Sequence, residues 1–251
     1  MITLKNSYAR ERMAVAGRLL AELFRGMEHW IEPGMSTLQV DTYIEEYLKK
    51  NKMVSSTKGY LGRYNHSSCI SINDEVVHGV PRDTMKIVQG DLVKIDVCAS
   101  YDGYCADMAR SLFIGSVSEE VIAFVDAAQA SLDAGIREAV AGERLSNISA
   151  AIQDVVEGHG YGVVREFAGH GIGKKMHEDP EILNYGKPGC GPVMKPGMAF
   201  AIEPMITMGD FRVYILEDGW TVKTVDKSLA AHVEDTVIVT EHGPEIITRL
   251  Q

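Results

Sequence analysis

The sequence predicts an α+β fold on two observations. Helical periodicity comes in pairs, and each pair is followed by a block of short strand-like runs. The two helix–glycine–helix stretches also share one offset: adding 108 to Gly34, Val40, Ile44, Tyr47 and Leu48 gives Gly142, Ile148, Ile152, Val155 and Val156. That suggests a duplicated half, although amphipathic helices match one another easily. At 251 residues, 45% apolar and 24% charged, the chain is able to bury a large core and is too apolar to be disordered. No Ser/Pro/Gly-rich linker divides it, so residues 1–251 are expected to form one domain.

The elements follow in order. Met13, Ala16, Leu20, Leu23 and Met27, continuing to Trp30 or Ile31, recur at steps of three and four; they predict a helix over 10–31, ended by Pro33-Gly34. Ser36-Thr37-Leu38-Gln39 has the form of a capping box, opening a second helix with Val40, Ile44, Tyr47 and Leu48 on one face. Over 68–113 the pattern changes to short strands with turns at Asn73-Asp74 and Asp102-Gly103. Ser116-Val117-Ser118-Glu119 then reads as another capping box, leading into a helix over 121–140. Ala141-Gly142 breaks it, and a further helix carries Ile148, Ile152, Val155 and Val156. Strands are expected again at 199–202, 213–216, 220–225 and 237–239.

Charge and composition exclude several functions. The formal net charge is −10, and no run of five Lys or Arg offers a local exception, so direct binding to nucleic acid is not expected. No stretch approaches the roughly 18 apolar residues of a membrane span, and no secretory signal is visible at the amino terminus. Cys69, Cys98, Cys105 and Cys190 contain no CxxC spacing and read as reduced thiols of a cytoplasmic protein.

The candidate chemistry begins in 93–98, where Lys94, Asp96 and Cys98 alternate with Val93, Ile95 and Val97. If Asp102-Gly103 forms a two-residue hairpin turn, Asp107 lies opposite Cys98, on the face of Asp96 and diagonal to it. Diagonal neighbours lie about 7–8 Å apart, a gap that two carboxylates close around cations. The same pattern also describes two acids on a solvated strand face. His170 stands among alternate glycines in Gly169-His170-Gly171-Ile172-Gly173, and His177 follows in Met176-His177-Glu178. A loop ending in a surface histidine is the plainer description of that run. Glu203 and Glu234 each interrupt an apolar strand; a carboxylate buried there needs a cation, a partner or a proton, while one at a strand edge needs none. Together, two Asp, one His and two Glu are five hard or borderline donors, enough for two divalent ions. The absence of cysteine among them argues against structural zinc.

These residues lie in a longer series of motifs: Ser71-Ile72-Asn73-Asp74-Glu75-Val76-Val77-His78-Gly79-Val80-Pro81, Lys94-Ile95-Asp96-Val97, Gly169-His170-Gly171-Ile172-Gly173, Ile202-Glu203-Pro204-Met205 and Asp218-Gly219-Trp220-Thr221-Val222-Lys223-Thr224. The series resembles the bacterial-type type I methionine aminopeptidases of peptidase family M24, in order and over nearly the whole chain. The resemblance implies the pita-bread fold, two pseudo-symmetric α+β halves around a dinuclear metal site, which accounts for the 108-residue offset. It implies Asp96, Asp107, His170, Glu203 and Glu234 as metal ligands, with Glu203 also moving the proton. His78 and His177 take the positions of histidines that hold the substrate and stabilise its tetrahedral oxyanion. Tyr60, Tyr64, Cys69, Met176 and Trp220 fall in the methionine pocket, where apolar bulk and sulfur contacts suit a thioether.

Several neighbours depart from the family's pattern. Cys105-Ala106 precedes Asp107 where a glycine is usual, Met176 replaces an aromatic, Ala201 a threonine, His232 a glutamine and Asp235 a histidine. The resemblance implies removal of the initiator methionine from nascent proteins when the second residue is small, by two divalent ions (Co, Mn, Fe or Zn), in a cytoplasmic monomer that meets the ribosome transiently. A divergent relative acting as a dipeptidase, or a metal-binding protein without activity, is the alternative.

Overall fold

The computed structural model describes residues 1–250. Helix α1 (Ser7–Met27) starts at Asn6, whose side chain accepts the Ala9 amide, earlier than the apolar stripe predicts because its first turn is polar. It also stops before Trp30, which leaves the helix and stacks on Tyr43 with ring centroids 4.1 Å apart. Helix α2 (Thr37–Lys50) carries the predicted capping box: Ser36 Oγ accepts the Gln39 amide at 3.2 Å, and Gln39 Oε1 accepts the Ser36 amide at 2.8 Å. Against these helices lie β1 (Met53–Ser55), β2 (Cys69–Ile72), β3 (Leu92–Tyr101) and β4 (Tyr104–Phe113), with β3 paired antiparallel to the other three.

The hairpin β3–β4 turns on two residues at positive φ, Asp102 at +49° and Gly103 at +77°. That sign at both central positions matches the right-handed twist of the flanking strands. The predicted register follows, with Cys98 opposite Asp107 and Asp96 opposite Ala109.

The second half repeats the helix pair. Helix α3 (Glu119–Arg137) is capped by Ser118, which accepts the Val121 amide at 3.4 Å; Ser116, the cap expected from the sequence, lies outside the helix. Helix α4 (Ser146–Gly158) follows. Gly34 and Gly142 precede α2 and α4 with φ of +97° and +96°. Their amides donate to Ile87 O at 2.8 Å and Met194 O at 2.9 Å; Ile87 and Met194 donate back to Met35 O and Glu143 O at 2.8 and 2.9 Å. The same pair of backbone hydrogen bonds thus recurs in both halves, at an offset of 108 on the glycine side and 107 on the partner side, which amphipathic coincidence does not explain.

The remaining strands are β5 (Gly162–Val163), β6 (Gly169–Gly171), β7 (Glu178–Ile182), β8 (Ala199–Ile202), β9 (Met205–Thr207), β10 (Val213–Ile215), β11 (Val222–Thr224), β12 (Ala230–His232), β13 (Asp235–Thr240) and β14 (Gly243–Ile246). The main sheet of this half runs β14–β13–β8–β6–β7, beside a smaller β12–β9–β5 sheet and the β10–β11 hairpin. Beside a smaller apolar cluster around Val76, Val164, Met205 and Val222, two large ones form most of the interior. One packs Leu20, Phe24, Ile44 and Leu48 on Ile95 and Val97; the other packs Phe124, Leu132, Ile148 and Ile152 on Phe200 and Val237. Each such buried side chain stabilises the fold by roughly 1.5–3 kcal/mol. Between the clusters the halves are stitched at Ala109 and Glu234, where the Glu234 amide donates to Ala109 O at 3.0 Å. No helix is long and apolar enough to cross a membrane among the described residues.

Candidate metal centre and substrate cavity

The stitch between the halves brings the acids together. The hairpin register puts Asp96 and Asp107 on one face of β3 and β4. Glu203 follows the last residue of β8, and Glu234 precedes the first of β13, two strands that pair directly. His170 lies in the middle of β6, which pairs with β8. Its flanking glycines are steric necessities: a Cβ at Gly171 would stand 2.1 Å from Asp179 O, and one at Gly169 2.4 Å from Ala201 O. The imidazole is aimed by a 3.0 Å hydrogen bond between Nδ1 and Gly171 O, leaving Nε2 3.4 Å from Glu203 Oε1 and 3.9 Å from Asp107 Oδ2. Donor atoms of Asp107, His170 and Glu234 lie within 4.8 Å of one another.

This is a costly cluster for a protein to fold around. Burial pushes Glu203 up to about 8, and burial followed by the charge of Glu203 pushes Asp107 up to about 7. Asp96 and Glu234 are raised well above the carboxylate range by burial and then by the charge of Asp107. Burial lowers His170 to about 4, keeping it neutral with a lone pair to offer. Among the described residues no Lys or Arg forms an ion pair with any of these four acids. Glu234 Oε1 is buried without a hydrogen-bond partner. Oxygen-rich donors with an imidazole, short of positive charge, suit divalent cations.

The centre opens into a cavity of about 250 Å³. Tyr60, Tyr64, Cys69, Met176 and Trp220 line it together with His78 and His177, so the predicted pocket residues are all gathered here. Tyr64 donates its hydroxyl to Ser68 O at 2.9 Å and packs edge-on to Trp220 at 5.0 Å. Tyr60 OH lies 3.1 Å from His177 Nδ1, and the His177 ring meets that of His170 at 4.5 Å. His78 adopts φ +59°, a left-handed conformation that a side-chain-bearing residue rarely holds, with its ring edge-on to Phe167. Burial, with the neighbouring histidines His232 and His177, lowers His78 to about 4. Phe167, Thr57 and Met205 also line the cavity and were given no role from sequence; Phe167 stands just ahead of the glycine-flanked histidine and Met205 ends the motif of Glu203, while Thr57 stood near no signal.

The unusual neighbours have definite places. Cys105 is buried, its amide donating to Gly173 O at 2.7 Å and its Sγ 3.5 Å from Ser56 Oγ. Ala106 and Ala201 are fully buried, Ala201 directly opposite His170 on one side and Thr236 on the other. Asp235 is fully buried between Arg110 at 2.6 Å and Arg249 at 2.7 Å, and accepts the Thr248 hydroxyl at 2.7 Å. Arg110 also donates to the carbonyls of Ala109 and Glu234, bracing the stitch. Sequence reading flagged Asp235 but missed both arginines and Thr236. His232 is buried, with Nε2 3.7 Å from Glu203 Oε2. All four cysteines are free thiols.

With this geometry in place, similarity to known proteins becomes informative. The profile of metallopeptidase family M24 matches residues 11–241. A methionine aminopeptidase of Clostridium acetobutylicum is 45% identical over 248 residues, covering 99% of each chain. The crystal structure of the Thermotoga maritima methionine aminopeptidase superposes with a TM-score of 0.97 at 41% identity over the full length of both. A Xaa-Pro dipeptidase from Bacillus anthracis is more distant, with a TM-score of 0.79 and 25% identity over 62% of its own chain.

Proposed function

The chain belongs to metallopeptidase family M24, among its methionine aminopeptidases, and from that membership we propose that it removes the amino-terminal methionine of new polypeptides whose second residue is small. The observation that carries this is the meeting of four carboxylates, two of them buried and two half-buried, with His170 in one cavity lined by Tyr60, Tyr64, Cys69, Met176 and Trp220. As a metallopeptidase it uses divalent metal. We assign two ions (Mn, Fe, Co or Zn) to Asp96, Asp107, His170, Glu203 and Glu234, which the unpartnered Glu234 Oε1 and the raised carboxyls fit. When bound, such ions polarise the peptide carbonyl and make water nucleophilic near neutral pH.

The chain's own groups do the rest. Glu203 accepts the proton released by the nucleophile and hands it to the leaving amine, the role open to a carboxylate that lies in the cavity beside the site of attack. His177, held through Nδ1 by Tyr60, and His78, fixed by its backbone, donate to the carbonyl oxygen as negative charge develops there. The methionine side chain enters among the aromatic rings and Cys69, where its sulfur finds polarisable contacts. The protein works as a single catalytic domain and a monomer in the cytoplasm, meeting the ribosome transiently through the nascent peptide; its net charge of −10 opposes direct RNA binding.

Initial rates on Met-Ala-Ser, Met-Leu-Ser and an X-Pro dipeptide, each with added divalent ions, test the reading. Met-Ala-Ser is expected to be cleaved much faster than the other two. Equal rates on the two methionyl peptides, or no cleavage with any metal, would sink it, and preference for X-Pro would identify a dipeptidase.

A further inference from the structure

His232 has no part in the ligand set assigned above. It ends β12 opposite Met205, and its backbone is pinned on both sides by one hydroxyl: its amide donates to Ser111 Oγ at 3.2 Å, and Ser111 Oγ donates to its carbonyl at 3.0 Å. That anchoring leaves the ring turned towards the acids, 2% exposed, with Nε2 3.7 Å from Glu203 Oε2 and no hydrogen-bond partner. The separation is too long for a hydrogen bond. It is close to the roughly 3–3.5 Å between two donors on one first-row ion, whose bonds run about 2.0–2.2 Å. The assigned pair, His170 Nε2 and Glu203 Oε1, stands at 3.4 Å. Glu203 is therefore flanked by two imidazoles, one facing each oxygen. Glu234 Oε1, two residues beyond His232, is likewise buried and unpartnered. A buried polar atom left in that condition loses its water without replacement, a cost that a shared cation removes.

We propose that His232 Nε2 is an additional metal donor, binding the ion that Glu203 Oε2 holds and giving the centre a second imidazole. The assignment rests on the metal centre proposed above. A second neutral nitrogen adds no charge to the four carboxylates. It makes the site more favourable to ions that prefer imidazole, such as Co2+, relative to Mn2+, which is better served by oxygen.

Proton NMR of the Co2+-loaded protein counts coordinated histidines, because each retains one exchangeable, strongly shifted imidazole N–H. The wild type is expected to show two such signals and H232Q one. H170A is expected to keep the signal that H232Q loses. Calorimetric titration of metal-free protein should show one Co2+ step weakened about 10- to 100-fold in H232Q, with Mn2+ weakened less. H232A, checked for folding by circular dichroism, repeats the comparison if the glutamine variant does not fold. The same number of shifted signals in H232Q as in wild type overturns the proposal even if affinity falls, since His232 would then only orient Glu203. A wild type with one signal, lost in H170A, overturns it while leaving the proposed function intact. Failure of the wild type to bind Co2+ strikes the centre itself.

Discussion

Thr236 holds Asp107 by both sides of its peptide: its hydroxyl accepts the Asp107 amide at 2.8 Å and donates to the Asp107 carbonyl at 2.8 Å. The two residues belong to different halves, so one hydroxyl sets how a strand of the first half carrying a proposed ligand seats against the second. Thr236→Val keeps the shape and removes both bonds, stranding two buried backbone groups. Stability should fall by about 1–3 kcal/mol and metal affinity with it, while Thr236→Ser retains both. Denaturant melts and calorimetric metal titration check this; a Thr236→Val protein that binds metal as tightly as wild type would show that the seam does not position Asp107.

The metal-free protein should lose stability as pH rises from about 6.5 to 8. Glu203 and Asp107 are raised to about 8 and about 7 from ordinary values of 4.5 and 3.8, so the folded chain keeps protons that the unfolded chain has already released. The folded state binds more protons across that window, and its advantage is lost as pH passes through the folded values. Below 6.5 the histidines His78, His170 and His232, each lowered to about 4 from 6.5, work the opposite way. Above about 7, Lys94, lowered from 10.5, opposes the loss, against the three carboxyls Glu203, Asp96 and Glu234 that still hold protons. The steepest decline therefore falls between 6.5 and about 7. Thermal melts of chelator-treated protein across the range test the sign, and added Mn2+ should raise the midpoint more near pH 8 than at 6.5. A metal-free protein that gains stability over that window contradicts the electrostatics.

Tyr60→Phe removes the 3.1 Å contact to His177 Nδ1 but keeps the ring against Trp220. A hydrogen bond of this kind contributes about 0.5–1.5 kcal/mol, so kcat/KM on Met-Ala-Ser should drop about two- to tenfold. Metal affinity and melting temperature should not move. A loss confined to metal binding would place Tyr60's effect elsewhere.

Asp235 pairs with two arginines from inside the fold; Asp235→Asn leaves Arg110 without a carboxylate, while Arg249 keeps its pair with Asp133 at 2.6 Å. Breaking one partner from a buried pair costs about 3–5 kcal/mol. Because Arg110 also braces the carbonyl of Glu234, weaker metal binding should accompany the lost stability. Urea midpoints and metal titration of the same preparation measure the two effects together; unchanged stability would mean that solvent reaches and screens the group.

How much of this could be read in the chain depended on the range of the contact. The placement of Asp96 and Asp107 was legible because a two-residue turn at Asp102-Gly103 fixes pairing without reference to the rest of the fold. The capping box at Ser36 was legible for the same reason, whereas the box read at Ser116 was misleading, because the helix starts two residues later on Ser118 without a reciprocal acid. His170, Glu203 and Glu234 stood out as polar residues in apolar or glycine-rich runs, and the family resemblance joined them. The grip of Thr236 on Asp107 was not legible, since the two lie 129 positions apart and neither is odd where it stands. The open nitrogen of His232 was hidden too: a substituted residue signals change, but only packing reveals that nothing answers its ring.

The two large apolar clusters, with the acids along the border between them, separate two kinds of inheritance. Substitutions deep in either cluster adjust how much heat the protein withstands and leave the border distances untouched. Substitutions along the border, as at Thr236 and Asp235, reach stability and the acids together. Heat tolerance can therefore be retuned within the clusters while the acids keep their places.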